Sequence, residues 1–79
     1  MSRWLFSPHA VGRMLEMELL VEEVISALRE PKCSYPGRPC KDGGPTRVMV
    51  AGRVAVVVAT NNGVVITVLW AGRESRTAA

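Results

Sequence analysis

Histidine and cysteine, the side chains that most often hold zinc, are scarce in this chain. His9 is its only histidine, and Cys33 and Cys40 are its only cysteines. A structural zinc site needs four such ligands, usually in close pairs, so the chain alone cannot supply one, and we expect neither a metal nor any other cofactor. Reduced thiols are the expected state in a cytosol. A disulfide between the two cysteines is the alternative, and it requires an oxidising environment.

Long apolar runs and nucleotide-binding motifs are also missing. No stretch reaches the roughly 18 apolar residues that a membrane span needs, and Met1 to Leu5 lacks the features of a secretory signal. We therefore predict a cytoplasmic protein with no membrane partner. The chain has no P-loop, dinucleotide-binding fingerprint, Gly-x-Ser-x-Gly or His-Glu-x-x-His sequence. Nucleotide-dependent enzymes and the common hydrolase families are therefore unsupported.

Charge is divided unevenly between the two halves of the chain. Residues 1–30 carry three arginines and five glutamates, whereas residues 31–79 carry seven basic and two acidic residues, a formal charge of +5. A basic surface attracts RNA by neutralising its phosphates. The candidate RNA-binding residues are Arg38, Lys41, Arg47 and Arg53. The alternative is that these charges only keep the protein in solution.

The first half has the pattern of two short helices. Ser7 is a favourable N-cap and Pro8 suits the first helical position, so a helix is predicted to begin at Pro8. Residues at helical spacing predict its core-facing stripe, and they are Val11, Met14, Leu15 and either Glu18 or Leu19. After a bend at residues 17–20, a second helix is predicted over residues 21–29, and Pro31 ends it. One continuous helix through residues 17–20 is the alternative.

The second half has the pattern of a loop followed by a β-meander. Residues 31–45 contain four prolines and three glycines and predict a long loop. Three valine-rich segments follow, separated by Gly52-Arg53 and by Asn61-Asn62-Gly63, and both separators are typical of hairpin turns. The predicted strands are residues 46–51, 54–60 and 64–70. Residues 3–6 could add an edge strand or pack against the next segment.

These parts are predicted to form one domain over residues 1–79, with a short C-terminal tail at residues 71–79. Apolar residues make up 48% of the chain, which is sufficient for a packed core. The predicted fold class is α+β, with two N-terminal helices packed on a three- or four-stranded antiparallel sheet. An all-β barrel is the alternative.

Four short motifs in this order resemble a family of small bacterial and phage proteins. They are Ser7-Pro8-His9-Ala10, Arg13-Met14, Ala27-Leu28-Arg29-Glu30-Pro31 and Val65-Ile66-Thr67-Val68. The family is a domain of unknown function with a Ser-x-His-Ala-x-x-Arg-Met helix and an Ile-Thr-Val strand, and it is similar to the RelE/ParE toxin superfamily. The resemblance covers about residues 6–70 and implies a RelE/ParE-like fold and a toxin-like protein that acts on RNA. One departure is that Met17-Glu18-Leu19-Leu20 replaces the turn in which a second arginine is expected.

The resemblance further implies a metal-independent endoribonuclease, with His9 and Arg13 on the first helix and Thr67 on the last strand as matching residues. Such an enzyme needs a general acid, a general base and a cation for the phosphate. An imidazole can serve as acid or base near neutral pH, and Glu16 can orient Arg13 or act as the base. The alternative is that His9 caps the helix, Arg13 pairs with Glu16, and Thr67 is an ordinary strand residue.

A different class of function is also open, namely a non-catalytic phage or mobile-element protein that binds and inhibits a host factor. The middle predicted strand, residues 54–60, is apolar on both faces, and two short helices cover only one of them. We therefore predict that a homodimer partner, an antitoxin or a host protein covers the second face. The alternative is that residues 4–6 and the long loop fold over it and the protein is monomeric. Strict alternation in the last strand predicts Val65 and Val68 on opposite faces.

Overall fold

The computed structural model describes residues 4–39 and 44–72. Two α-helices pack on one side of a five-stranded mixed β-sheet, so the domain is α+β. In chain order the elements are β1 (Leu5–Phe6), α1 (Pro8–Glu16), α2 (Val21–Arg29), β2 (Cys33–Pro36), β3 (Thr46–Ala51), β4 (Val54–Ala59) and β5 (Val64–Trp70). The strands lie in the order β1-β5-β4-β3-β2, with β1 parallel to β5 and all other neighbours antiparallel. Each of the two described helices has nine residues, too few to cross a bilayer.

Side chains cap the first turns of both helices. The Oγ of Ser7 accepts a hydrogen bond from the backbone N–H of Ala10 at 3.1 Å, and Pro8 occupies the first turn of α1. This confirms the predicted start of the first helix. In α2 the carboxylate of Glu23 accepts from the backbone N–H of Leu20 at 3.3 Å, which satisfies one of the donors that a helix start leaves unpaired.

A Schellman motif ends α1 and produces the predicted bend at residues 17–20. The N–H of Leu19 donates to the carbonyl of Met14 at 2.9 Å, and the N–H of Glu18 donates to that of Leu15 at 3.2 Å. Glu18 adopts a left-handed φ of 55°, a conformation that usually belongs to glycine at this position. The left-handed position that follows the end of α1 is therefore occupied by a residue with a side chain, which disfavours this backbone conformation.

Two strands distinguish the sheet from the predicted one. The edge strand considered for residues 3–6 is present as β1, and it runs parallel to β5 with Leu5 opposite Val64. The prediction that residues 31–45 form only a loop is wrong, because Cys33–Pro36 pair with β3 as strand β2. The sheet is therefore five-stranded and mixed rather than three- or four-stranded and antiparallel.

Proline argued against a strand at β2 in the sequence, but the position of Pro36 in the sheet tolerates a proline. Gly37 donates its N–H to the carbonyl of Thr46 at 3.1 Å, so its backbone is directed at β3. Because this direction alternates along a strand, the nitrogen of Pro36 lies on the outer edge, where the missing N–H breaks no sheet bond. Pro36 also protects that edge against pairing with another chain.

A β-bulge in β5 changes which of its residues face the helices. Val57 of β4 lies opposite Thr67, whereas the next residue of β4 lies opposite Val65. Ile66 is therefore an extra residue without a cross-strand partner. As a result Val65 and Val68 both point into the helix-side core and both are fully buried, so the prediction of opposite faces from strict alternation is wrong.

The hydrophobic core lies between the helices and one side of the sheet. Its largest fully buried side chains are Val24, Val56, Val58, Val65 and Val68. The predicted stripe of α1 is wrong in part, because Val11 and Leu15 are exposed, whereas Met14 is buried together with Ala10 and Met17. A stripe at positions 10, 14 and 17 also has helical spacing, and the small side chain of Ala10 lets α1 approach the sheet closely.

The other side of the sheet, here called the open face, carries no charged residue. It consists of Leu5, Cys33, Tyr35, Thr46, Val48, Val50, Ala55, Val57, Ala59, Val64, Thr67 and Leu69. Neither described helix covers it, since both pack on the opposite side. The hydroxyl of Thr46 donates to the carbonyl of Arg38, so the segment after β2 covers one corner. Trp4 and Phe6 pack against the helix-side core and not on this face. Within the open face Thr46, Val48, Ala55 and Ala59 are buried, whereas Val57, Thr67 and Leu69 are half-buried.

Candidate functional site

Three of the predicted catalytic residues, His9, Arg13 and Glu16, share one flank of α1, as their spacing of four and three residues predicts. His9 is exposed, and the carboxylate of Glu16 accepts a hydrogen bond from Nη1 of Arg13 at 3.1 Å. The Nε of Arg13 donates to the carbonyl of Val68 at 3.4 Å. The guanidinium is thus held between the helix and the sheet, with some of its five N–H donors left for a ligand.

Ser7 and Arg13 together attach α1 to the outer edge of β5. Strand β1 pairs only with the first two residues of β5, so the carbonyls of Ile66 and Val68 have no strand partner on that side. The hydroxyl of Ser7 donates to Ile66 at 2.9 Å, and Arg13 donates to Val68. Sequence reasoning missed this structural use of both side chains, because the free edge results from the short length of β1.

Thr67 lies on the open face, opposite Val57. Its neighbour Val68 points into the core beneath the helices, and successive strand residues point to opposite sides of a sheet. The sheet therefore separates the Thr67 hydroxyl from the flank that carries His9 and Arg13. The structure brings three of the four predicted catalytic residues to one flank and places the fourth on the other side.

Arg53, a predicted RNA-binding residue, pairs with Glu23 of α2. Its Nε and Nη2 each donate to a different carboxylate oxygen of Glu23 at 3.0 Å. Its guanidinium carbon also lies 5.4 Å from the ring centroid of Trp70, within the range of a cation–π contact. Sequence reasoning missed this pair, because Glu23 is 30 positions away and its partner lies in a turn.

The same pair shifts the ionisation of both groups. Hydrogen bonds from Arg53 and then from the N–H of Leu20 hold the pKa of Glu23 below its ordinary value; burial opposes them, and the positive charge of Arg53 adds to the lowering. The carboxylate in turn raises the pKa of Arg53, chiefly through the hydrogen bond and then through its charge. Arg53 therefore stays charged, but its charge is already balanced within the domain.

The other predicted RNA-binding residues are dispersed. The guanidinium of Arg47 donates to Oγ of Ser34 on the neighbouring strand, at 3.2 and 3.3 Å. Arg38 is exposed, and Lys41 lies outside the described residues. Arg47 lies on the helix side of the sheet, since its cross-strand partner is the buried Val58. We find no common surface for the described arginines of this group.

Metal ligands do not cluster in the described ranges, where no group of three His, Cys, Asp or Glu side chains is placed to hold an ion. Cys33 is exposed and carries a free thiol at the edge of the open face. Cys40 lies outside the described residues, so the alternative of a disulfide between Cys33 and Cys40 lies outside them too.

Comparison with known proteins found no match for this chain. No protein-family model, no curated protein and no solved structure matches the chain.

Proposed function

We propose that the protein is a non-catalytic interaction domain, and that its open face is an interface. The observation that carries this proposal is a sheet side whose described strand residues include no charged one and over which neither described helix packs. Of the segments expected to cover it, Trp4 and Phe6 pack on the helix side instead, and the described part of the segment after β2 covers the corner at Thr46. An apolar surface of this kind on a small domain is typical of a protein-binding site.

A second copy of the chain fits the open face best. Two uncharged faces can pack without burying a charge or bringing like charges together, as in the core between two sheets. Such a contact is symmetric, with the same residues on both sides. The protein is then a homodimer whose partner sheet completes its second core. An antitoxin-like or host protein that covers the same face would compete with the dimer.

Thr67 allows a matched test of this interface. Thr67→Lys places a charge near the centre of the open face, and Thr67→Val keeps the shape and removes only the hydroxyl. Sedimentation at micromolar concentration should give wild type and Thr67→Val a mass of twice the 8.6 kDa of one chain. Thr67→Lys should have the mass of a single chain. A strictly monomeric wild type would refute the homodimer, and a dimer that survives Thr67→Lys would place the interface elsewhere.

RNA cleavage by a toxin-like protein is the second candidate function. It is favoured by the shared flank of His9, Arg13 and Glu16 and by the charge of +5 in residues 31–79. A test compares wild type with a His9→Ala/Arg13→Lys variant, which keeps a cation at the Val68 carbonyl. Under the interaction proposal neither protein cleaves RNA, with or without ribosomes, and both have the same effect on growth when expressed. Cleavage by wild type that the variant loses would establish the ribonuclease instead.

A further inference from the structure

Four exposed large hydrophobic side chains lie on α1 and at the start of α2, before and after the bend that joins the two helices. Exposed fractions are 43% for Val11, 74% for Leu15, 63% for Leu20 and 56% for Val21. These four residues, here called the helix corner, include every such side chain in the described ranges except Leu5 of the open face. Val11 and Leu15 lie one turn apart on α1, and Leu20 and Val21 begin α2 just after the bend.

Gly12 is unexplained by the packing of the domain itself. Glycine weakens a helix relative to alanine, and a close neighbour is the usual reason for it. Beyond its own helix turn, no atom of the described chain lies within 4 Å of the position that its Cβ would occupy. The room that Gly12 leaves lies on the surface of α1, one turn before Leu15, and it is available to another molecule.

Two glutamates without ion-pair partners in the described ranges border the helix corner. Glu18 lies in the bend between Leu15 and Leu20, and Glu22 follows Val21 in the first turn of α2; both are exposed. Other glutamates of the helices are paired, as in the contact of Glu23 with Arg53. The helix corner therefore combines exposed apolar side chains with exposed negative charges that adjoin them in the chain.

We propose that the helix corner binds a basic amphipathic helix of a partner protein. This inference rests on the proposal that the protein is an interaction domain. Leucines or valines at helical spacing in the partner would pack on Leu15 and Leu20, and Gly12 would allow its backbone to approach α1. Lysines beside that stripe would pair with Glu18 and Glu22. A second copy fits poorly, because a symmetric contact would bring four unpaired glutamates together.

Three designed peptides of equal length test the charge and the periodicity. The first has leucines at helical spacing flanked by lysines, the second has the same leucines flanked by glutamates, and the third is a scramble of the first. Fluorescence anisotropy with the full chain is expected to show binding of the first peptide, at least about tenfold weaker binding of the second, and loss of binding with the scramble. No binding of the first peptide, or equal binding of the first two, would overturn the proposal.

Variants locate the binding site. Gly12→Leu fills the room on α1 with a better helix former, so it should raise the melting temperature and weaken peptide binding at least about tenfold. Leu15→Ser should weaken binding without unfolding the domain, because Leu15 is exposed. Full binding by the stabilised Gly12→Leu variant would refute this site. A change of oligomeric mass in Leu15→Ser would mean that a second copy occupies the helix corner, which would also refute it.

Thr67→Lys separates this inference from the proposed homodimer. The substitution lies on the opposite side of the sheet, so the monomer that it produces should still bind the lysine-flanked peptide with unchanged affinity. Peptide binding that disappears with the dimer would show that the helix corner does not act by itself. If the lysine-flanked peptide binds but the wild type is monomeric, the helix corner is supported and the open-face homodimer is refuted.

Discussion

The two sides of the sheet contain the same type of residue but have different neighbours. On the helix side, Val56 and Val68 are fully buried beneath α1 and α2. On the open face, Val57 and Leu69 are only half-buried and no described helix covers them, although the smaller Ala55 beside them is buried. The comparison shows that valine content predicts how much apolar surface a chain contains, whereas the elements packed on each side decide whether that surface stabilises the fold or binds a partner.

Adjacent valines of β4 give the largest expected difference between the two sides. Val56→Lys places an unpaired charge among fully buried side chains. Because a buried unpaired charge costs several kcal/mol, comparable to the roughly 5 kcal/mol of stability expected of a small domain, we expect this variant to be largely unfolded by circular dichroism. Val57→Lys points to the open face, and we expect it to be folded and monomeric, with a melting temperature that no longer depends on protein concentration.

The pair is informative because both variants change the same residue type to the same residue, one position apart. A cooperative melt of Val56→Lys near the wild-type temperature would show that the helix side is not the core. Unfolding of Val57→Lys at high dilution, where wild type is still folded, would show that the open face is covered within the chain.

A second prediction concerns how firmly the helix layer is attached to the sheet. Arg13→Ala removes the hydrogen bond to the carbonyl of Val68, which has no strand partner, and it removes the ion pair with Glu16. Loss of a half-buried charged hydrogen bond should lower the free energy of unfolding by about 1.5 kcal/mol. His9→Ala, on the same flank but exposed, should change it by less than about 0.5 kcal/mol. Urea denaturation measures both, and equal effects would contradict an anchoring role for Arg13.

Much of the helix layer follows from local sequence signals. Ser7 with Pro8 predicts the start of α1, and the limits of α2 agree with the predicted residues 21–29. These signals act within a few residues, so they can be seen in the sequence. Strand β2 could not be predicted because its proline is tolerated only at a sheet edge, and the edge position depends on strand order.

The candidate site shows the same division. The common flank of His9, Arg13 and Glu16 follows from helical spacing alone. The contact between Arg13 and Val68 depends on where β1 stops, and the contact between Arg53 and Glu23 joins residues 30 positions apart. The bulge at Ile66 decides the directions of the side chains before and after it. Such nonlocal features depend on the assembled sheet, and no short sequence pattern predicts them.

A third prediction strengthens the helix layer without touching either side of the sheet. Glu18, in the Schellman motif after α1, has a φ of 55°, which is strained for a residue with a side chain. Glu18→Gly should raise the free energy of unfolding by about 1 kcal/mol, or the melting temperature by about 5 °C. As a control, Glu22→Gly in the first turn of α2 should lower stability by up to about 1 kcal/mol. A loss of stability in Glu18→Gly would contradict the left-handed cap.

The smallest expected effect is on the pH dependence of the contact between α2 and the turn before β4. Arg53 holds the pKa of Glu23 below its ordinary value, chiefly by donating hydrogen bonds to the carboxylate. The unfolded chain has the ordinary pKa, so this contact stabilises the fold above that value, and the stabilisation is lost as the pH falls through the lower folded value. Both groups are exposed to solvent, so salt should weaken the effect.

Carboxyl NMR titration can measure this shift directly. In Arg53→Ala the pKa of Glu23 should rise towards its ordinary value, while part of the lowering by the N–H of Leu20 remains. Arg29→Ala is the control, because Arg29 lies at the other end of α2 and should leave the titration of Glu23 unchanged. A pKa that is the same in wild type and Arg53→Ala would show that the two side chains do not pair in solution. In that case Arg53 would have no balancing charge and would be available to bind a phosphate.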